Sequence, residues 1–344
     1  MKLVNLVPAA ALVLGTLLAP IAHAADPVKL NVYTALEDDQ VKAYKDAFEK
    51  DNPGIEIVWT RDSTGVVLAK LLAEKANPQA DVVWGLAASS LVTLQNEGML
   101  APYAPKGVEA IPAQFKDKAT PPNWVGMDVW AATICFNTVE AEKRHIPKPA
   151  TWADLTKDVY KGTIVMPNPA SSGTGYLDVS AWLQMFGEDG GWKYMDGLHK
   201  NILSYTHSGS KPCNMAGAGE AVIGISFEYR ASTVKAKGAP VDLVFPTEGL
   251  GWDMEATSIL KTTKHQAEAQ KLADWAITKQ ANTLYAKSYA IVAVPGIAQP
   301  LPGLPADYES HLAKIDLGWA ATNRDRVLTE WNKRYNEKSE PKKS

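Results

Sequence analysis

The chain alternates short β-branched, apolar runs with longer stretches whose apolar residues recur at helical spacing. Leu30-Asn31-Val32-Tyr33-Thr34 alternates at period two and gives way, through the acidic Glu37-Asp38-Asp39, to a helical pattern over residues 41–48. Asp51-Asn52-Pro53-Gly54 breaks that helix. Ile55-Glu56-Ile57-Val58-Trp59 is a second strand, followed by Arg61-Asp62-Ser63-Thr64-Gly65 and a helix over residues 66–76. Asp81-Val82-Val83-Trp84-Gly85 is a third, with Ser89-Ser90-Leu91 opening a helix that ends near Gly98. Three such units predict a mostly parallel, doubly wound α/β sheet whose ligand crevice lies beyond the carboxyl ends of the strands. Thr34, Ser63, Thr64 and Gly85 then belong on one rim.

Residues 102–122 are rich in proline and glycine and read as surface loop. The apolar run over residues 129–137 is long enough to pass from one lobe to another. Thr151-Trp152-Ala153-Asp154 reads as a capped helix start. Thr163-Ile164-Val165-Met166 suits a buried strand, and Ser171-Ser172-Gly173-Thr174-Gly175 then sits at the start of a helix over residues 176–186. Residues 202–206 form a strand that runs into His207-Ser208-Gly209-Ser210-Lys211-Pro212, a further hydroxyl-rich turn. Ile225-Ser226-Phe227 ends on Glu228-Tyr229-Arg230. Residues 241–246 and 255–260 are strands, the second returning to the first lobe, and residues 266–277 form an amphipathic helix. Residues 284–292 and 312–331 are expected as C-terminal helical segments, with a polar tail over residues 336–344 that frays. The expected division is residues 25–132 with 252–303 for one lobe, and 133–251 with 304–344 for the other.

Lys2, an apolar run to Ile21 and the small-x-small pattern Ala22-His23-Ala24 identify residues 1–24 as an expected signal peptide, which places the mature chain in the periplasm. The formal charge is −3, with 35 Lys+Arg against 38 Asp+Glu, and becomes −4 once Lys2 is removed. That balance disfavours nucleic acid and anionic membranes as partners. Cys135 and Cys213 are the two cysteines; an oxidising compartment permits their pairing without placing them in reach. There is no CxxC and no HExxH, so no metal or cofactor is expected.

The chemistry concentrates in the turns. Ser63, Thr64, Ser172, Thr174, Ser208 and Ser210, with Thr34 and the N–H groups beside Gly65, Gly173, Gly175 and Gly209, are neutral donors at expected helix starts. Donors fixed in this way surround a tetrahedral oxyanion while excluding water, and so imply a phosphate-like group. Each turn taken alone is equally a Ser/Thr cap. For an ammonium at the other end of the ligand the first candidate is Glu228 with Tyr229, because a carboxylate ending an apolar strand needs a partner; Arg230 competes for that role. Glu37 is held in reserve and serves equally as a charge at a helix start. Trp84 and Tyr176 are candidates for an aromatic wall, where a cation over a ring gains about 0.5–2 kcal/mol, although Trp84 also suits a core. No G-x-S-x-G, P-loop or G-x-G-x-x-G is present, so an enzyme is not expected.

Val32-Tyr33-Thr34, Asp81-Val82-Val83-Trp84, the run from Pro169 to Gly175 and Ser226-Phe227-Glu228-Tyr229-Arg230 together resemble the periplasmic solute-binding proteins of ABC importers. The resemblance spans some 300 residues of the exported chain and lies in the cluster of ferric-iron, thiamine and 2-aminoethylphosphonate binders. It implies a type II periplasmic binding fold: two lobes, each a mostly parallel sheet flanked by helices, joined by hinge crossovers. It also implies a protein that closes over a small molecule and presents it to an inner-membrane permease, here expected to act as a monomer. Iron-binding members carry paired tyrosines near the hinge and an acid after the third strand. Here Glu228-Tyr229 and Gly85-Leu86 stand in those places, so the likeness is greatest to the 2-aminoethylphosphonate binders. The alternatives are another phosphate-bearing or cationic solute, ferric ion, or a periplasmic phosphoester hydrolase.

Overall fold

The computed structural model describes residues 26–341, so the expected signal peptide over residues 1–24 lies outside the described part. The first half runs β1 (Val28–Thr34), α1 (Asp38–Asp51), β2 (Ile55–Arg61), α2 (Thr64–Ala73), β3 (Val82–Ala87), α3 (Ala88–Asn96), the short β4 (Leu100–Ala101) and β5 (Val125–Asn137). The chain continues through α4 (Thr138–Arg144), β6 (Ile164–Pro167), α5 (Gly173–Phe186), α6 (Glu188–Asn201), β7 (Ile202–Thr206), α7 (Lys211–Ala218), β8 (Ile223–Phe227), α8 (Glu228–Ala236) and β9 (Val241–Val244). It ends with β10 (Trp252–Leu260), α9 (Gln266–Ala276), α10 (Lys279–Tyr285), β11 (Ile291–Val292) and α11 (Leu317–Tyr335). No helix among the described residues is long and apolar enough to cross a membrane.

Hydrogen bonding orders the strands β2-β1-β3-β10-β5-β8-β6-β7. β1, β2 and β3 are parallel, as are β6, β7 and β8, while β5 and β10 run against their neighbours. β5 is the pivot of this arrangement. Its 13 residues are all buried, its pairing with β10 ends at Ala131, and its pairing with β8 begins at Ala132. One continuous apolar strand thus belongs to both lobes, because each of its halves finds a different sheet to complete.

On one face of the first sheet Trp84 is fully buried against Tyr44, Phe48, Trp59 and Trp275, and its indole N–H donates to the Tyr285 hydroxyl. The second lobe has its own core around Trp152, Trp182, Ile164 and Ile225. Cys135 at the end of β5 is bonded to Cys213 in the first turn of α7, with Cα atoms 5.4 Å apart. The pairing that the sequence left open is therefore made, and it ties α7 to the strand shared by both lobes.

Several C-terminal expectations differ from what is found. Residues 284–292 are not one helix: α10 stops at Tyr285, and Ile291 and Val292 instead pair with Val129 and Asp128, because β5 offers an unfilled edge there. Thr151 opens only a 3-10 turn, in which the Asp154 carboxylate accepts from the Ala150 and Thr151 N–H groups and closes the turn on itself. The tail does not fray within the described residues. Ser339 bridges to Tyr205, and the Glu340 N–H donates to the Tyr205 carbonyl at 2.9 Å, so the tail covers the open edge of β7.

Candidate functional site

Parallel strands carry their following loops to one end, and in each lobe those loops face the other lobe. α2 starts at Thr64 after β2 with Ser63 as its cap residue; α5 starts at Gly173 with Ser172 as cap, whose Oγ accepts from the Gly175 N–H at 3.3 Å; α7 starts at Lys211 after Ser208-Gly209-Ser210. All three starts line one cleft of about 620 Å3. They touch one another. A Cβ on Gly173 would lie 2.5 Å from Thr64 Oγ1, and one on Gly209 would overlap Thr174 Oγ1 and come within 3.1 Å of Ser172 Oγ. Glycine is required at both positions for the turns to approach so closely.

Each helix start carries unpaired N–H groups and about half a positive charge. Three of them brought together repel unless an anion sits between them. Thr64, Ser172 and Thr174 are nearly buried, with relative exposures of 7%, 1% and 5%, so their hydroxyls work in a medium where hydrogen bonds to an oxyanion are stronger than in water. Ser208 Oγ and Ser210 Oγ lie 3.4 Å apart in the third turn. The arrangement can enclose a phosphate-like group with neutral donors from both lobes.

The lobes meet across this cleft. The Gly65 N–H of α2 donates to the Ser171 carbonyl at 2.9 Å. Arg230 of α8 pairs with Glu37 at 2.6 Å, the Tyr229 hydroxyl donates to Asp39 at 2.9 Å, and His207 Nε2 lies 3.1 Å from Asp62. Arg61 adds contacts of 3.8 Å to Glu37 and 3.0 Å to Asp38, and Lys211 pairs with Glu340. Each charged latch joins a side chain that follows a first-lobe strand to one that follows a second-lobe strand, apart from the pairs made by Arg61 and Lys211 within their own halves.

Ser63, Thr64, Ser172, Gly173, Thr174, Ser208, Ser210 and Glu37 all line the cleft. Five other candidates do not. The Thr34 hydroxyl is buried, donating to the Gly85 carbonyl and accepting from the Leu36 N–H, so it pins β1 to β3. Trp84 is core, as described above. Tyr176 is buried beneath Arg324, whose guanidinium lies 4.3 Å from its ring centre, and its hydroxyl donates to the Ala320 carbonyl. Tyr229 reaches over the cleft to Asp39 rather than lining it. Glu228 is fully buried behind the lining, at the first position of α8, with Oε2 accepting from the Ala131 N–H at 2.9 Å. Burial pushes its carboxyl up to about 8, moderated by that N–H. Arg230 is not its partner, because Glu37 occupies the guanidinium from across the cleft.

Sequence reasoning missed the opposite wall of the cleft: Trp130 of β5, Glu255 of β10 and Tyr289. Glu255 stands directly across from Asp128 of β5 in the antiparallel register and beside Ala87 of β3. Its Oε1 accepts from the Tyr289 hydroxyl at 3.3 Å, and its Oε2 has no hydrogen-bond partner among the described residues. Burial raises its carboxyl pKa, and the charges of Glu37 and Glu228 add to the rise. The available signal was two acids, Asp253 and Glu255, inside an otherwise apolar strand. Asp253 is explained by α3, since its carboxylate accepts from the Ser89 hydroxyl and N–H; Glu255 has no such explanation.

The family model described as bacterial extracellular solute-binding protein matches residues 77–319. An uncharacterized protein of Haemophilus influenzae is 32% identical over 233 residues, 67% of this chain and 67% of that one. A probable ABC transporter periplasmic-binding protein of Sinorhizobium fredii is 26% identical over 272 residues, 76% of this chain and 73% of the relative. Among solved structures, the periplasmic binding protein AfuA from Actinobacillus pleuropneumoniae, with exogenous fructose-6-phosphate bound, superposes with a TM-score of 0.83 at 28% identity, covering 90% of this chain and 98% of AfuA.

Proposed function

The chain belongs to the bacterial extracellular solute-binding proteins, and from that premise we propose that it captures a small organic phosphate or phosphonate by closing two lobes over it. Its fold is the two-lobed α/β fold of type II periplasmic binding proteins. Its family supplies the solute-binding component of ABC importers, which places it in the periplasm and makes a membrane permease its partner. In its narrowest form the reading makes 2-aminoethylphosphonate the solute, and binding without turnover the activity.

The observation that carries this reading is the contact among the starts of α2, α5 and α7. Gly173 lies against Thr64 and Gly209 against Thr174, and of these Thr64 comes from one lobe and the others from the second. An oxyanion at that point ties the lobes together, so its binding free energy is available to favour the closed form. The cleft volume, in the range of drug-sized ligand sites, favours a second reading in which the solute is a larger phosphate ester. The sugar phosphate bound by AfuA is of that kind.

A thermal-shift panel tests the proposal. It compares inorganic phosphate, methylphosphonate, 2-aminoethylphosphonate, fructose 6-phosphate, thiamine, spermidine and ferric ion. Ligands that bear a tetrahedral oxyanion should raise the melting temperature in proportion to the logarithm of their concentration. Shifts confined to ferric ion, thiamine or spermidine would refute the oxyanion reading. A chromogenic phosphate ester incubated with stoichiometric protein should yield no product; catalytic release would make the protein a hydrolase.

A further inference from the structure

The cleft lining holds six carboxylates against three permanently charged cations. Those three cations are already engaged: Arg230 and Arg61 by Glu37 and Asp38, and Lys211 by Glu340. A purely anionic solute would therefore enter a cleft whose spare charge is negative. One of the six carboxyls also lacks a donor. Asp39 receives the Tyr229 hydroxyl and Asp62 faces His207, whereas Glu255, 7% exposed, lines the cleft and has a buried Oε2 with no partner among the described residues.

Building on the oxyanion reading above, we propose that Glu255 receives the far end of the solute and that the protein selects phosphates or phosphonates carrying a primary ammonium there. Tyr289 fixes Oε1, leaving Oε2 free for one N–H of the ammonium. Trp130, Phe227 and Tyr289 line the same cleft, and aromatic rings beside a cation favour it. This replaces Glu228 as the amine receptor, since Glu228 lies behind the lining.

Among the described residues, the titratable groups that act on Glu255 are acids and phenols. Asp128 stands opposite on β5, fully buried with both oxygens unpartnered; Glu228 comes from the start of α8, and Glu37 from the loop ahead of α1. Tyr44, Tyr285 and Tyr289 surround the pair. Burial and mutual repulsion raise the Asp128 and Glu255 carboxyls, so both favour holding their protons when no cation is near. An ammonium reverses that balance at Glu255, and its binding should release a proton from that carboxyl to solvent. Affinity for an amine ligand should accordingly rise with pH more steeply than affinity for its amine-free analogue.

The experiment is calorimetry of 2-aminoethylphosphonate and 3-aminopropylphosphonate against ethylphosphonate and propylphosphonate. Wild type and Glu255→Gln are compared, each in two buffers of different ionisation enthalpy. The variant should lose roughly tenfold or more for at least one aminophosphonate, the loss of a hydrogen bond to a charged group, and less than threefold for the amine-free analogue. It should also release fewer protons than wild type on binding the same aminophosphonate. Equal losses for both ligand types, or no difference in proton release, would overturn the role of Glu255 while leaving the oxyanion reading intact. Failure of every phosphonate to bind wild type would overturn the role of Glu255, and failure of inorganic phosphate and fructose 6-phosphate as well would overturn both. If Glu255→Gln fails to fold, Tyr289→Phe serves: loss of its donor raises the Glu255 carboxyl further, so amine affinity should fall at pH 7 and recover by pH 9. A parallel profile for wild type and Tyr289→Phe would overturn the proposal.

Discussion

Gly65→Ala should separate the stability of the lobes from their closure, and the two effects should have opposite signs. Gly65 is the second residue of α2, and its φ does not lie in the left-handed region, so alanine is compatible with its backbone. In a helix, alanine is favoured over glycine by up to about 1 kcal/mol. The ligand-free variant should melt a few degrees higher, or at worst unchanged. Where the lobes touch, however, the added methyl would overlap the Ala170 carbonyl oxygen and lie 2.9 Å from the Ala170 and Ser171 carbonyl carbons. These are backbone atoms of the other lobe, and no side-chain rotation moves them. Relief requires the lobes to part, which also breaks the Gly65 N–H bond to Ser171. Overpacking of this kind costs about 1–3 kcal/mol and the hydrogen bond about 1 more, so affinity should fall roughly 30- to 1,000-fold. At a ligand concentration of about 100 times the wild-type Kd, wild type gains about 2.7 kcal/mol and the variant less than about 1. Thermal melts with and without ligand read both effects, and small-angle scattering reads the ligand-induced compaction. Wild-type affinity with wild-type compaction in Gly65→Ala would refute the assignment of this contact to the closed state.

Two further outcomes follow from buried groups. Glu228 has its carboxyl raised to about 8 in the folded protein against an ordinary value near 4.5, so the folded state holds a proton that the unfolded state gives up. That contribution is present below about pH 4.5 and is lost as pH rises towards 8; Glu228→Gln should therefore flatten the fall of melting temperature over this window, and an unchanged slope would show that other acids carry it. The Cys135–Cys213 bond closes a separation of 78 residues, for which chain entropy gives an upper bound of about 4.5 kcal/mol. Replacing both cysteines with serine should lower the melting temperature and weaken oxyanion binding, because α7 loses its tether to β5; an unchanged melting temperature would show that packing alone holds α7.

The strand-helix alternation and the three hydroxyl-glycine turns were legible because their signals are local. A period of two, a helix cap and a glycine at a helix start are set by a few neighbouring residues, and the turns following β2, β6 and β7 do converge on the cleft. The misplacements share a cause. Trp84 and Tyr176 have the composition of wall residues, but whether an aromatic ring faces ligand or core depends on what packs against it: Trp275 from 191 residues later in the first case, Arg324 in the second. Glu228 and Arg230 looked like competitors because they are two residues apart. In the structure the guanidinium is taken by Glu37, 193 residues away, and the carboxylate by the Ala131 N–H. Its polarity alone predicts a frayed tail, yet the open edge of β7 gives its backbone a partner that composition does not reveal.

The sequence by itself determined that this is an α/β chain whose strands end in hydroxyl- and glycine-rich turns at helix starts, since backbone geometry at a helix start follows from residues adjacent in the chain. Only the tertiary structure decided which charges remain unspent. Pairing between lobes neutralises Glu37 and Arg230, Glu340 takes Lys211 within its own half, and Glu255 is left without a cation among the described residues, because the energy of a buried charge depends on neighbours brought together by the shared strand β5, not on the residues beside it in sequence.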